Sequence, residues 1–174
     1  MRSSAASGSA TESRRSARRG IVTQDIRRDP HVGSLVKKEL PGGYELDDDR
    51  SRVDLDEVHR FISEQSYWAA GRGRDAMRGL IERADRVVGL FHGDAQVGFS
   101  RTVDAPDAGL SYLADVYVLP THRGKGLGVE LVRFSVDEGP FAAGRWVLHT
   151  KDAHELYAKF GFVSGERLLE RPRR

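Results

Sequence analysis

One stretch of the chain, residues 113–132, limits what it can fold into more than any other segment. It starts with an apolar run that predicts an interior strand covered on both faces: Leu113, Ala114, Val116 and Val118. Pro120 should end this strand because it has no N–H to donate. Residues 123–128 then form a glycine-rich loop that leaves backbone N–H groups uncovered at the start of a helix. Such a helix start binds anions, so we expect a phosphate-bearing cofactor here.

Two widespread phosphate-binding loops do not fit this segment. A dinucleotide-binding G-x-G-x-x-G loop would need its third glycine at Val129, and a Walker loop needs Ser or Thr directly after Gly124-Lys125. The spacing R-x-x-G-x-G over residues 123–128 instead resembles the acetyl-CoA loop of the GNAT acetyltransferases. On this loop alone, an ordinary strand–helix connection with tightly packed glycines remains the alternative.

A second segment carries the same resemblance. Residues 153–162 follow a predicted strand over 145–150 and resemble the other GNAT signature, A-x-x-L-Y-x-x-x-G-F. The matching residues are Ala153, Leu156, Tyr157, Gly161 and Phe162. Because both motifs occur in the expected order and separation, the chain is identified as a member of the GNAT family.

The resemblance implies an α/β (α+β) fold in the element order β-α-α-β-β-β-α-β-α-β. Its central mixed sheet is mostly antiparallel and carries about four helices. The periodicities agree with this order. Strands are predicted at 44–47, 86–92, 95–103, 113–118, 145–150 and 167–170. Helices are predicted after the cap at Asp54, over about 74–84, from the glycine-rich loop to the stop at Gly139-Pro140, and over the motif 153–162. Asp54 is the expected N-cap of the first helix, with Glu57 three residues on.

The same resemblance implies an N-acetyltransferase that moves an acetyl group from acetyl-CoA to a primary amine. The pyrophosphate should rest on the loop made by Arg123, Gly124, Lys125, Gly126, Leu127 and Gly128. The pantetheine arm should bond the backbone of the preceding strand, at Val116, Tyr117 and Val118, as an added strand would. Many family members have Asn where Thr150 stands, so Thr150 or His154 would have to replace that contact. The chain has no cysteine, which favours direct attack over a covalent acyl-enzyme.

Two proton transfers accompany such a reaction. Tyr157 occupies the position of the family's general acid, and the alternative is a helix tyrosine that only packs. Asp115 is the candidate general base, as the one charged side chain in an apolar strand. A structural aspartate, or an anion that binds the acceptor, are its alternatives, and Tyr112 or a water relay would then be the base. Strand alternation puts Asp115 on the wrong face, but a β-bulge would change this.

The acceptor site should lie beside the connection between the first two helices. In GNAT folds this connection forms one wall of the acceptor site, which makes Tyr67 and Trp68 candidate substrate-binding residues. The alternative is that both rings close the core beneath the loop. Few residues follow Phe162, so this site would be open, or a partner subunit in a homodimer would complete it.

Composition divides the 174 residues into a basic extension, 1–40, and one folded domain, 41–174. Residues 1–40 hold nine Lys/Arg and four Asp/Glu, so the rest of the chain holds 19 and 22. We expect the extension to be disordered, with a transit peptide or a nucleic-acid-binding arm as alternatives. The absence of cysteine suits the cytoplasm, no apolar run is long enough for a membrane span, and no metal site is expected.

Two other functions remain open from the sequence. A catalytically silent GNAT domain could bind acyl-CoA as a sensor or interaction module, and it would be indifferent to Tyr157→Phe. A nucleic-acid-associated protein would use the basic extension and would show steep salt dependence. The two motifs favour the enzyme over both, with an amine as its partner rather than nucleic acid or a membrane.

Overall fold

The computed structural model describes residues 36–165. They form a six-stranded sheet in which every strand lies next to its neighbours in sequence. The strands are β1 Lys37–Leu40, β2 Tyr44–Asp47, β3 Arg86–His92, β4 Ala95–Ala105, β5 Leu110–Val118 and β6 Trp146–Val147. The helices are α1 Leu55–Glu64, α2 Arg74–Glu82, α3 Leu127–Val136 and α4 His154–Ala158. Four of the strand pairings are antiparallel and only β5–β6 is parallel, which confirms the predicted mixed, mostly antiparallel sheet.

Helices cover both faces of the sheet, as the apolar β5 sequence requires. The helix α3 packs Leu127, Leu131 and Phe134 onto one face. On the other face α1 and α2 bury a cluster that includes Phe61 and Met77. The predicted N-cap of α1 is confirmed, since the Asp54 carboxylate accepts the backbone N–H groups of Asp56 and Glu57, both at 3.0 Å.

The first strand is not where the sequence indicated. The strand predicted at 44–47 is present, but β1 at Lys37–Leu40 pairs with it as a hairpin, so the sheet begins before residue 41. In β1 the exposed Lys37 and Glu39 alternate with the half-buried Lys38 and Leu40, and a segment this rich in charge is hard to tell from a solvated linker. Residues 1–35 and 166–174 lie outside the described part, and with them most of the basic extension and the predicted strand 167–170.

The C-terminal elements are shorter than predicted. The predicted strand 145–150 is reduced to Trp146–Val147, because β5 offers it only two paired residues, Ser111 and Tyr112. The predicted helix 153–162 is helical only over His154–Ala158. Beyond Tyr112, β5 continues for six residues, 113–118, without a partner on this side among the described residues. We call the gap between this free edge and the chain after Val147 the β5–β6 cleft.

A β-bulge in β5 opens the same region. Arg101 of β4 pairs with Ala114, but Phe99 pairs with Tyr117, so β5 has one residue more than β4 between these pairs. Asp115 takes the left-handed backbone conformation there, with φ +52°. The inserted residue reverses the alternation, because Leu113 and Val116, three residues apart, both pack on the α3 side. The β-bulge that the sequence left open is therefore present, and it changes the face on which Asp115 lies.

Candidate active site

The loop after β5 presents a row of unused hydrogen-bond donors. Five successive backbone N–H groups, from Gly124 to Gly128, donate to no acceptor within residues 36–165. Gly124 and Gly126 have φ values of +77° and +78°, and Gly126 is the N-cap of α3 without a side-chain cap. A Cβ on Gly126 would meet no atom within 4 Å, so the space over the loop is open. Uncovered N–H groups at a helix N-terminus in open space can bind an anion, which is compatible with the predicted phosphate-binding loop.

The other predicted loop residues have identifiable positions. Gly128 lies inside α3, and a Cβ there would make only an ordinary van der Waals contact with Leu156 Cδ2 at 3.9 Å, so packing against α4 does not require glycine at this position. The Arg123 side chain turns back, and its Nε donates to the carbonyl of Val118 at 2.9 Å. This bond holds the loop to the end of β5, a role for Arg123 beyond the charge expected from the sequence.

Lys125 belongs to a basic cluster beside the loop. Its Nζ donates to the Tyr44 hydroxyl at 2.8 Å, and that hydroxyl lies 2.9 Å from His122 Nδ1. The Tyr44 ring also packs against His92, with 4.5 Å between the ring centroids. Burial lowers the pKa of His122, and the charges of Lys125 and His92 lower it further. The cluster makes this end of the sheet electropositive, which suits a polyanionic ligand.

Tyr157 lies beside the β5–β6 cleft. Its ring is buried against Leu113 and Val132, while its hydroxyl has no hydrogen-bond partner within residues 36–165. Burial raises the pKa of Tyr157 to about 12, with smaller contributions from Tyr67 and two other residues. The hydroxyl therefore stays protonated at neutral pH and is available as a donor.

Asp115 does not have the surroundings of a free base. It is buried, and its two carboxylate oxygens accept from Arg72 Nη1 and Arg101 Nε, each at 2.9 Å. Both oxygens are thus engaged by guanidinium groups, and the geometry favours the structural alternative over the predicted general base. The bulge turns this side chain toward Arg72, in the α1–α2 connection.

A tyrosine–histidine pair lies at the start of the cleft. The Tyr112 hydroxyl is 2.8 Å from His149 Nδ1. Tyr112 is the last β5 residue paired with β6, and it contributes to the raised pKa of Tyr157, so the two tyrosines are neighbours. Tyr112 is the predicted alternative base, whereas its partner His149 lies 37 residues away in the sequence and has no predicted role.

Tyr67 and Trp68 are exposed, not buried beneath the loop, with relative exposures of 50% and 43%. Their rings form an edge-to-face pair with centroids 5.1 Å apart. The Tyr67 hydroxyl accepts the backbone N–H of Lys151 at 2.7 Å, and therefore bridges the α1–α2 connection to the β6–α4 turn. The two aromatic residues border the cleft from the α1–α2 side, which is compatible with the predicted acceptor wall.

Thr150 and His154 line a cavity whose walls do not include the loop. The Thr150 hydroxyl oxygen accepts the N–H of Ala153 at 3.1 Å and so fixes the turn into α4. Both residues line a cavity of about 750 Å³ between β6, α4 and the chain up to Gly165. The described lining includes Tyr157 but neither β5 nor the loop.

Tyr117 contributes no side chain to the cleft. Its ring stacks on Phe61 with centroids 4.0 Å apart, on the α1–α2 face, and burial raises the pKa of its hydroxyl. Only the backbone of Tyr117 is left for a ligand. Within residues 36–165 no group of His, Asp and Glu is arranged to hold a metal ion, and no helix is long and apolar enough to cross a membrane.

Comparisons with known proteins agree on one family. The model of the acetyltransferase (GNAT) domain matches residues 81–164. A GNAT-family protein from Xanthomonas campestris pv. campestris is 33% identical, with a TM-score of 0.68 over 75% of this chain and 93% of that one. No curated protein sequence matches significantly.

More distant structures share the fold alone. A protein of unknown function from meticillin-resistant Staphylococcus aureus is 18% identical, with a TM-score of 0.61 over 75% of this chain and 98% of that one. An N-acetylglutamate synthase from Neisseria gonorrhoeae, in complex with coenzyme A and N-acetylglutamate, is 15% identical. Its TM-score is 0.52 over 74% of this chain and 28% of that one.

Proposed function

We propose, since the chain belongs to the GNAT family of acetyltransferases, that it transfers an acetyl group from acetyl-CoA to a primary amine by direct attack. One observation carries the proposal: the five uncovered N–H groups of residues 124–128 adjoin the free edge of β5. An anion site that continues into an unpaired strand edge fits a ligand with a pyrophosphate followed by an amide-bearing arm.

The chain's own residues suit the two ends of such a ligand. Backbone donors at Gly126, Leu127 and Gly128, with Lys125 beside them, would hold the phosphates. The backbone of Val116 and Val118 would pair with the arm along the free edge of β5. When bound, acetyl-CoA supplies a thioester whose acyl carbon is open to attack by an amine.

Tyr157 is positioned to assist departure of the thiol. Its protonated hydroxyl, unpartnered within the described residues, would donate a hydrogen bond to the sulfur as negative charge develops there. No cysteine exists anywhere in the chain to accept the acetyl group first, which supports a single direct transfer.

The proton of the attacking amine needs an acceptor, and the Tyr112–His149 pair offers one. A neutral imidazole that accepts the Tyr112 hydroxyl proton at Nδ1 would let the phenolic oxygen take a proton from the amine. This relay replaces Asp115, whose oxygens are bonded to two arginines.

The test is release of free thiol from acetyl-CoA in the presence of a panel of primary amines. A thiol-reactive dye reports the reaction without background from the enzyme, because the chain has no cysteine. We expect amine-dependent thiol release. If no amine accelerates release while acetyl-CoA still raises the melting temperature, the chain binds acetyl-CoA without transferring the acetyl group.

A pair of glycine variants tests the loop itself. Gly126→Ala places a side chain at φ +78°, which costs an L residue roughly 1–2 kcal/mol, so we expect KM for acetyl-CoA to rise about 5- to 30-fold. Gly109→Ala is the matched control: it has φ +63°, open space around the added Cβ, and lies at the opposite end of β5. An equal rise in KM for both variants would contradict the loop's role.

A further inference from the structure

A cluster of three charged side chains lies at the β5 bulge, on the acceptor side of the cleft. Asp115, Arg72 and Arg101 are joined by two ion pairs of 2.9 Å. Asp115 and Arg101 are 6% and 7% exposed, and the side chain of Arg72 is 23% exposed. Arg72 is therefore the member of the cluster that a ligand reaches.

The charges of this cluster do not balance. Two guanidinium groups share one carboxylate, and neither arginine forms another ion pair within residues 36–165. Buried charge is costly unless a partner compensates it, so a net positive charge at this depth favours binding of an anion. The anion should arrive at Arg72, because Arg101 is enclosed.

Arg72 has hydrogen-bond donors to spare. Its Nη1 contacts Asp115 and, at 3.6 Å, the sulfur of Met77, which leaves Nε and Nη2 without partners among the described residues. These planar donors match the two oxygens of a carboxylate. The cluster offers no equivalent site for a cation, because both carboxylate oxygens of Asp115 already accept from the arginines.

The backbone around Arg72 is held in place. Its N–H donates to the carbonyl of Ala69 at 3.1 Å, and its own carbonyl lies 3.0 Å from His59 Nε2. The neighbouring Gly71 N–H donates to the carbonyl of Ser63 at 3.0 Å. With its backbone held by these bonds and its guanidinium held by Asp115, Arg72 loses little further freedom when it binds a ligand, and this strengthens recognition.

We propose that Arg72, with Arg101 behind it, binds a carboxylate of the acetyl acceptor, so that the acceptor is a small amine that also carries a carboxylate, such as an amino acid. This inference rests on the proposed function. The carboxylate would bind near Asp115 on the α1–α2 side, with Tyr67 and Trp68 flanking the rest of the molecule.

Pairs of acceptors that carry either a carboxylate or the corresponding amide test the inference, with rates compared at equal concentrations of unprotonated amine. Thiol release is measured with L-amino acids, cysteine excluded because of its thiol, and with the corresponding amino acid amides. We expect kcat/KM to favour the free carboxylate at least about 30-fold for the best acceptor, since a charged hydrogen bond is worth roughly 10- to 100-fold.

Two substitutions at Arg72 assign that preference, with one neighbouring control. Arg72→Gln should reduce the preference to below about threefold, and Arg72→Lys should give an intermediate value because it keeps the charge but not the fork. Arg74→Gln should leave the preference unchanged, because Arg74 bonds only the exposed Asp56. Arg72→Gln leaves one Arg–Asp pair, and if it does not fold, Arg72→Lys carries the test.

The outcomes separate this inference from the proposed function. Amides used as well as carboxylates, or a preference that survives Arg72→Gln, would overturn the inference while acetyl transfer stands. If no amine releases thiol, the proposal of acetyl transfer fails, and the inference is tested by binding alone. The melting temperature of the CoA-bound protein is then measured with N-acetylglycine and with N-acetylglycinamide. A larger rise in melting temperature with the carboxylate, lost in Arg72→Gln, supports the inference, and equal rises overturn it.

Discussion

The substitution Tyr157→Phe tests whether the hydroxyl of Tyr157 takes part in catalysis or the ring only packs in the core. The substitution removes one oxygen atom and leaves the ring against Leu113 and Val132. Because this hydroxyl has no hydrogen-bond partner within residues 36–165, its loss should change the free energy of unfolding by less than about 0.5 kcal/mol. Any loss of rate therefore reports on catalysis and not on folding.

The size of the rate effect follows from the proton energetics. With a pKa of about 12, Tyr157 is a weaker acid than a thiol, whose pKa is about 8.5, so complete transfer of its proton to the departing thiolate is unfavourable. What it offers is a hydrogen bond to the developing charge, worth about 1.5–3 kcal/mol. We expect kcat to fall about 10- to 100-fold, with little change in KM for acetyl-CoA.

Steady-state thiol release as a function of pH is the assay. The raised pKa keeps the hydroxyl protonated, so loss of this proton should not reduce wild-type activity at any pH below about 11. Urea unfolding of the same variant is the control. A fall in kcat of less than threefold would refute the role of Tyr157. A fall in the free energy of unfolding of more than about 1 kcal/mol that explains the lost activity would refute it as well.

Two further predictions concern stability. Gly98→Ala should lower the free energy of unfolding by more than about 2 kcal/mol in urea titration, because the added Cβ would lie 2.8 Å from the carbonyl oxygen of Tyr117, in paired backbone that cannot move away. For His122, the pKa is lower in the folded chain than the ordinary value of about 6.5, so the unfolded chain binds the proton first. The stability that neutral His122 contributes is fully present above pH 6.5 and is lost as the pH falls below 6.5. The melting temperature of His122→Gln should therefore decline less between pH 7 and pH 5 than that of the wild type, and equal declines would contradict the assignment.

Local sequence signals predicted the parts of the site that depend on neighbouring residues. The glycine-rich loop was predicted to leave backbone N–H groups uncovered at a helix start, and it does so with positive φ values at Gly124 and Gly126. The cap at Asp54 was predicted equally well, since an N-cap depends on the next three residues. Both features are determined by chain geometry within one or two turns.

Features that depend on distant partners were out of reach. Asp115 stood out as a charge in an apolar strand, but its partners Arg72 and Arg101 lie 43 and 14 residues away. The length of β6 was overestimated because an apolar run predicts burial, whereas pairing depends on how long β5 stays beside it. The Tyr112–His149 contact joins two ordinary-looking residues, and only the parallel pairing of their strands brings them together.

The short β5–β6 ladder has a consequence for motion. Among residues 36–165 the strand β6, which precedes Tyr157, is paired with the sheet at only two positions, so we expect this end of the domain to open locally at much lower free energy than β3 and β4. A ligand that lies along the free edge of β5 would pair with residues that β6 leaves unpaired, and it would fill the β5–β6 cleft. The bound acetyl donor would then stabilise β6 and α4 against local opening. Amide hydrogen exchange in residues 146–158 should therefore slow when acetyl-CoA is added.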